Sequence, residues 1–145
     1  MQKQVQIRML AFEDGTKTEE YHFSGRMQEK NGRCFVLYQE KDEKGELLPS
    51  ALRIEKDRVA VLRNESMGGH LTFDPAHPKY LRYHTPYGPV VYHFHTRGIQ
   101  QKENELGMEL KLEYTLQPVS EEGASDEDTS GIHRMLVIQI DTMES

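Results

Sequence analysis

At 145 residues the chain is long enough for one domain with a real core and not comfortably for two. Only 36% of its residues are hydrophobic and 29% are charged, which disfavours a helical bundle and suits a β-sheet protein, where only alternate strand residues need be apolar. Most of the net charge of −6 sits in the segment 118–131, with Glu121, Glu122, Asp126, Glu127 and Asp128 and no Lys or Arg; the rest is near neutral without a basic patch, which leaves nucleic-acid binding unsupported.

The hydrophobic period is two almost throughout. Residues 3–12 set Val5, Ile7, Met9 and Ala11 on one face, and residues 19–29 set Tyr21, Phe23, Gly25 and Met27 against His22, Ser24 and Arg26. Further strands are predicted at 33–41, 51–56, 58–64, 69–74 and 79–85, and a long one through "YHFHTRG". In 105–117, Leu106, Met108, Leu110, Leu112, Tyr114 and Leu116 share one face, which a helix would scatter around its circumference. The last strand, about 132–142, carries Leu136, Ile138 and Ile140. Turn signals such as "EDGTK", "KNG", "DEKGE", "DPAHP" and "TPYGP" separate these strands. The expectation is an all-β fold, an antiparallel meander β-barrel of about 8–10 strands. It forms a single domain over residues 1–145, with a flexible acidic loop at about 118–131.

The single cysteine, Cys34, excludes an internal disulfide, and its parity with Val36 predicts a buried, structural thiol. No apolar run reaches the length of a membrane span and none after Met1 has signal-peptide length, so a cytoplasmic location and no membrane partner are expected.

The succession "RVAVLRN", a Gly, "LTFD", "YHTPYG", a long strand and "LGMELKLEYTL" resembles the DUF1934 family of uncharacterised bacterial proteins, also called YwiB-like. Arg63, Phe73, the Tyr83-x-Thr85-Pro86-x-Gly88 run and the Leu-x-Leu-x-Tyr pattern ending at Tyr114 carry the resemblance, which spans essentially the whole chain. It implies a calycin-like, lipocalin-like β-barrel, and it implies no catalytic residue, substrate or cofactor.

Two sets of residues compete as a site. His93 and His95, one residue apart on a strand, share a face and could chelate a metal. Their face also holds Val91 and Arg97, while Val90, Tyr92, Phe94 and Thr96 make the bulkier one, so the histidines are expected to point outward. The pair lacks the Glu that a cupin His-x-His requires, since Gly98, Ile99 and Gln100 occupy the relevant positions. His70, His77 and His84 lie near turns in the same third of the chain, without a carboxylate spaced to complete a metal site. No metal and no cofactor is therefore expected. The inward face offers the other set: Arg63 shares parity with Val59 and Val61, Glu40 with Val36 and Tyr38, and tyrosines alternate among the leucines. Arg63 and Glu40 either pair with each other or form part of a ligand pocket with Tyr38, Tyr83, Thr85, Tyr92 and Tyr114.

Three functions follow, in this order. The first is a non-enzymatic barrel that binds a small amphiphilic or anionic ligand. The second is a protein-interaction module or homodimer using an outer face with exposed Phe12 and Val91. The third is a metal-dependent enzyme using the His70–His95 region; on balance no enzymatic activity is expected.

Overall fold

Alternating apolar and polar residues fold into ten strands, seen in a computed structural model that describes residues 2–64, 69–119 and 132–143. They are β1 (Gln2–Glu13), β2 (Thr16–Lys30), β3 (Arg33–Lys41), β4 (Leu47–Ile54), β5 (Val59–Leu62), β6 (Leu71–Phe73), β7 (Lys79–Thr85), β8 (Gly88–Glu103), β9 (Gly107–Pro118) and β10 (Ile132–Thr142). The first two hairpins turn on Asp14-Gly15 and Asn31-Gly32, and all four residues have positive φ. That backbone matches the twist of the flanking strands, and Asx-Gly pairs adopt it at least cost. The acidic segment expected to be a flexible loop lies, over residues 120–131, outside the described residues.

All ten strands belong to one antiparallel sheet in the order β6-β5-β4-β3-β2-β1-β10-β9-β8-β7. Strands consecutive in sequence are neighbours except β6 and β7, and the two ends of the chain meet where β1 pairs with β10, Ile7 opposite Ile140. β6 and β7 are the two edges, so the all-β meander curls into a half-barrel whose backbone ladder is open at one seam. Side chains bridge that seam region. Phe73 of β6 meets Phe94 of β8 and Tyr114 of β9 edge-on, with ring centroids 5.4 and 5.3 Å apart. The Asp74 amide, just past β6, donates to the buried Thr96 hydroxyl at 3.1 Å.

The concave face carries the core, with Val5, Ile7, Val36, Leu52, Val59, Leu110, Leu112, Ile138 and Ile140 nearly inaccessible. Two bulges reset the alternation, one where β2 passes Ala11 and Phe12, the other between Thr96 and Gly98 of β8. The second moves the inward parity of β8 from Phe94 and Thr96 to Ile99, which packs on the core. Leu106, expected inward with the leucines of β9, is instead 67% exposed. The Asn104 carboxamide oxygen accepts from the Leu106 and Gly107 amides, and this turn holds Leu106 outside the strand. β4 starts at Leu47, earlier than predicted, and accommodates Pro49 where β3 flanks it on one side and β5 has ended on the other. Among the described residues no helix is long and apolar enough to cross a membrane.

Candidate functional site

The open side of the half-barrel holds a cavity of about 480 Å³. Its inner wall is apolar, with Met9, Phe23, Val61, Leu71, Phe73 and Leu136, and its outer wall is built from tyrosines, carboxylates and two arginines. The polar residues reach one space because they sit toward one end of antiparallel strands, late in β1, β3 and β9 and early in β2 and β10, while the remaining inward positions of those strands fill the core.

Glu40 and Arg63 form the first polar group. Glu40 follows Val36 and Tyr38 on the inward face of β3 and is only 8% exposed. Arg63, one residue beyond β5, grips it with both arms: Nε donates to Oε2 at 2.8 Å and Nη2 to Oε1 at 3.0 Å. Ser50 of β4 donates a third hydrogen bond to Oε2 at 2.6 Å. The carboxylate is thus neutralised and well supplied with donors, the condition under which burying a charge is tolerated.

The second group runs straight across three strands. Glu13 of β1, Arg134 of β10 and Tyr114 of β9 are direct cross-strand partners. Arg134 Nη2 lies 3.8 Å from Glu13 Oε2, and Arg134 Nε is buried without a hydrogen-bond partner. Burial pushes the Tyr114 hydroxyl up, against the pull of the adjacent Arg134 guanidinium. Burial also pushes Tyr38 up, helped by the Glu40 charge. At the rim, Tyr21 donates to Glu19, which raises it as well, and Tyr83 stands half exposed. These raised tyrosines present protonated hydroxyls, suited to donating hydrogen bonds rather than to acting as bases at neutral pH.

Of the residues expected to form a pocket, the structure brings Arg63, Tyr38, Glu40, Tyr83 and Tyr114 together around this cavity. It does not bring Thr85 or Tyr92 there. The Thr85 hydroxyl shapes the β7–β8 turn, donating to the Gly88 carbonyl at 2.6 Å and accepting from the Tyr87 amide at 3.2 Å. Tyr92 packs edge-on behind Tyr83, with ring centroids 5.6 Å apart. Conversely, Arg134, Glu13 and Glu19 line the cavity without having been singled out from sequence. The signal for Arg134 was its parity with Leu136, Ile138 and Ile140, and for Glu13 its parity with Val5, Ile7 and Met9.

His93 and His95 lie on the opposite face of β8 from the buried Phe94 and Thr96, their rings 6.2 Å apart. Partial burial and the charges of Arg97 and His93 lower His95, which disfavours its protonation. His70 is exposed, and His77 pairs with Asp74, Nδ1 to Oδ2 2.8 Å. The side chain of His84 lies outside the described part of the structure. Among the described residues, no group of three or more His, Cys, Asp or Glu side chains is placed to hold a metal ion. Cys34 is buried, and its thiol is pushed up to about 11.

The family profile described as "Domain of unknown function (DUF1934)" matches residues 5–126. The chain belongs to the DUF1934 family. Among solved structures, the ywiB protein from Bacillus subtilis is similar, with a TM-score of 0.62 and 15% identity over 99% of this chain and 92% of that one. At that identity the likeness is one of fold. A search of curated proteins finds no match.

Proposed function

We propose that this DUF1934 protein is a non-enzymatic, calycin-like barrel that binds a small amphiphilic or anionic ligand in its concave cavity. The observation that carries the reading is the cavity itself. Its volume of about 480 Å³ lies in the range of small-molecule sites, and an apolar wall faces converging hydrogen-bond donors. The enzymatic reading has less support, because the tyrosines hold their protons and Glu40 is already committed to Arg63 and Ser50. The free, buried Cys34 suits a reducing, cytoplasmic setting. The test uses 1-anilinonaphthalene-8-sulfonate, an anionic amphiphile. It should bind one to one with a fluorescence gain, and Ala11→Trp, which fills the cavity from its wall, should abolish this while the circular dichroism spectrum is kept. Unchanged binding in Ala11→Trp would exclude the cavity as the site.

A second reading, association through the outer face, draws on one observation. Leu10 and Phe12 of β1 lie opposite Val137 and Met135 of β10, an apolar strip on the convex side. Phe12 and Val91, expected to be exposed there, are each only partly so. Sedimentation equilibrium at high concentration decides this reading, and a strict monomer excludes the homodimer.

A further inference from the structure

We infer that Arg134, rather than Arg63, is the anchor of the cavity, and that it takes the carboxylate of a small monoanionic ligand with an apolar body. The inference rests on the cavity reading above and adds to it the identity of the head group and of the residue that holds it.

The two arginines differ in what they have left to offer. Both donor arms of the Arg63 fork are occupied by Glu40, whose carboxylate also takes the Ser50 hydroxyl. The pair is electrically neutral, and a ligand would have to displace Glu40 to take the edge formed by Nε and Nη2. Arg134 is not so occupied. Its Nε–H is buried and donates to nothing, the one such side-chain atom among the described residues. A guanidinium keeps its charge at every accessible pH, so it cannot escape this by losing a proton. A buried donor without an acceptor is costly, and in native proteins it calls for a missing partner. Glu13 does not supply one: its oxygen is 3.8 Å from Nη2, beyond a hydrogen bond, and none reaches Nε.

The geometry selects the head group. An arginine edge whose Nε is unmatched and whose Nη2 has the 3.8 Å ion pair to Glu13 presents two parallel N–H groups, which a planar carboxylate accepts with both oxygens. The Tyr114 hydroxyl, directly across the ladder, accepts from the Arg134 guanidinium and keeps its own proton to donate. Charge selects against a dianion. Glu13, Glu19 and Glu40 outnumber Arg63 and Arg134 around the cavity, so its formal charge is −1 before any ligand enters. A single negative charge can be accommodated beside Arg134, whereas a phosphate monoester would bring a second charge against Glu13. The body of the ligand then lies along Leu136, Leu71 and Phe73.

The test compares three probes with one tail: decanoate, 1-decanol and decyl phosphate, each displacing the anilinonaphthalene dye from the untagged full chain. Decanoate should bind tightest. Arg134→Met should weaken decanoate by about tenfold or more, the loss of a charge-assisted pair, and leave decanol within about twofold. Arg134→Lys, which keeps the charge but not the fork, should fall between. Glu13→Gln should strengthen decanoate alone, and the double variant Arg63→Met/Glu40→Gln should retain decanoate binding. The inference is overturned if decanoate binds no better than decanol, if Arg134→Met and Arg134→Lys both leave it unchanged, or if only the double variant loses it. In those cases the dye and decanol still report a working cavity. Failure of the dye and all three probes on the parent protein would overturn the cavity reading too.

Discussion

Replacing Arg63 by Met isolates the energetics of the buried cluster. The Glu40 side chain is 10% exposed and that of Arg63 is 33% exposed. The substitution removes two charge-assisted hydrogen bonds and leaves the carboxylate with Ser50 alone. Stranding one partner of a buried ion pair costs about 3–5 kcal/mol. Here the outer third of Arg63 is already wet and the cavity opens to solvent, so water can partly replace it, and we expect about 2–3 kcal/mol. At this chain length that is a fall in Tm of roughly 5–10 °C. Removing both partners, as Arg63→Met/Glu40→Leu, strands no charge and should cost less than about 1 kcal/mol. Urea unfolding followed by far-ultraviolet circular dichroism measures each variant, and the double-mutant cycle should return a coupling of about 2 kcal/mol. The reasoning fails if Arg63→Met costs under about 0.5 kcal/mol, or if the double variant costs the sum of the two single ones.

Gly25→Ala should destabilise by about 1–3 kcal/mol, because the new Cβ would lie 2.4 Å from the Leu37 carbonyl oxygen, which is held in the β2–β3 ladder; an unchanged melting curve would contradict that close approach. With its thiol at about 11, Cys34 is roughly one part in a thousand thiolate at pH 8, so iodoacetamide should label it only after unfolding in urea. Rapid stoichiometric labelling of the native protein would show that the thiol is neither buried nor raised. Glu20 is held at about 2, below its ordinary 4.5, by His22, Lys17 and Arg8. A carboxyl depressed in the folded state stabilises fully above the unfolded value, and that share disappears as pH falls from about 4.5 toward 2. Glu20→Gln should therefore flatten the acid limb of the stability profile over that interval, and an acid limb identical to that of the parent protein would count against the assignment.

The strands were legible because a half-buried sheet writes its period of two directly into the chain. Val5, Ile7 and Met9, or Leu110, Leu112 and Leu116, lie inside as their alternation requires. The hairpins were legible at Asp14-Gly15 and Asn31-Gly32, where turn chemistry is local. The same parity placed Arg63 beside Glu40 on the inner face, and it could have placed Arg134, three residues into a strand otherwise marked by its apolar members. Leu106 and Ile99 show its limits. An Asx turn takes Leu106 out of the strand, and the bulge between Thr96 and Gly98 shifts the inward register of β8. Both depend on backbone geometry that residue type alone does not specify.

Sequence by itself determined the all-β class, the succession of about 8–10 strands, the outward direction of His93 and His95, and the inward direction of Tyr38, Glu40, Arg63 and Tyr114. Those properties follow from interactions between near neighbours, which alternate with the pleat. Tertiary structure decided that the ladder stays open between β6 and β7, that Thr85 and Tyr92 stand apart from the cavity, and that Arg63 is spent on Glu40 while Arg134 is left with an unmatched donor. These depend on how far the sheet curls and on which side chains from distant strands fall within about 3 Å of each other, and a pattern along one strand carries no information about that distance.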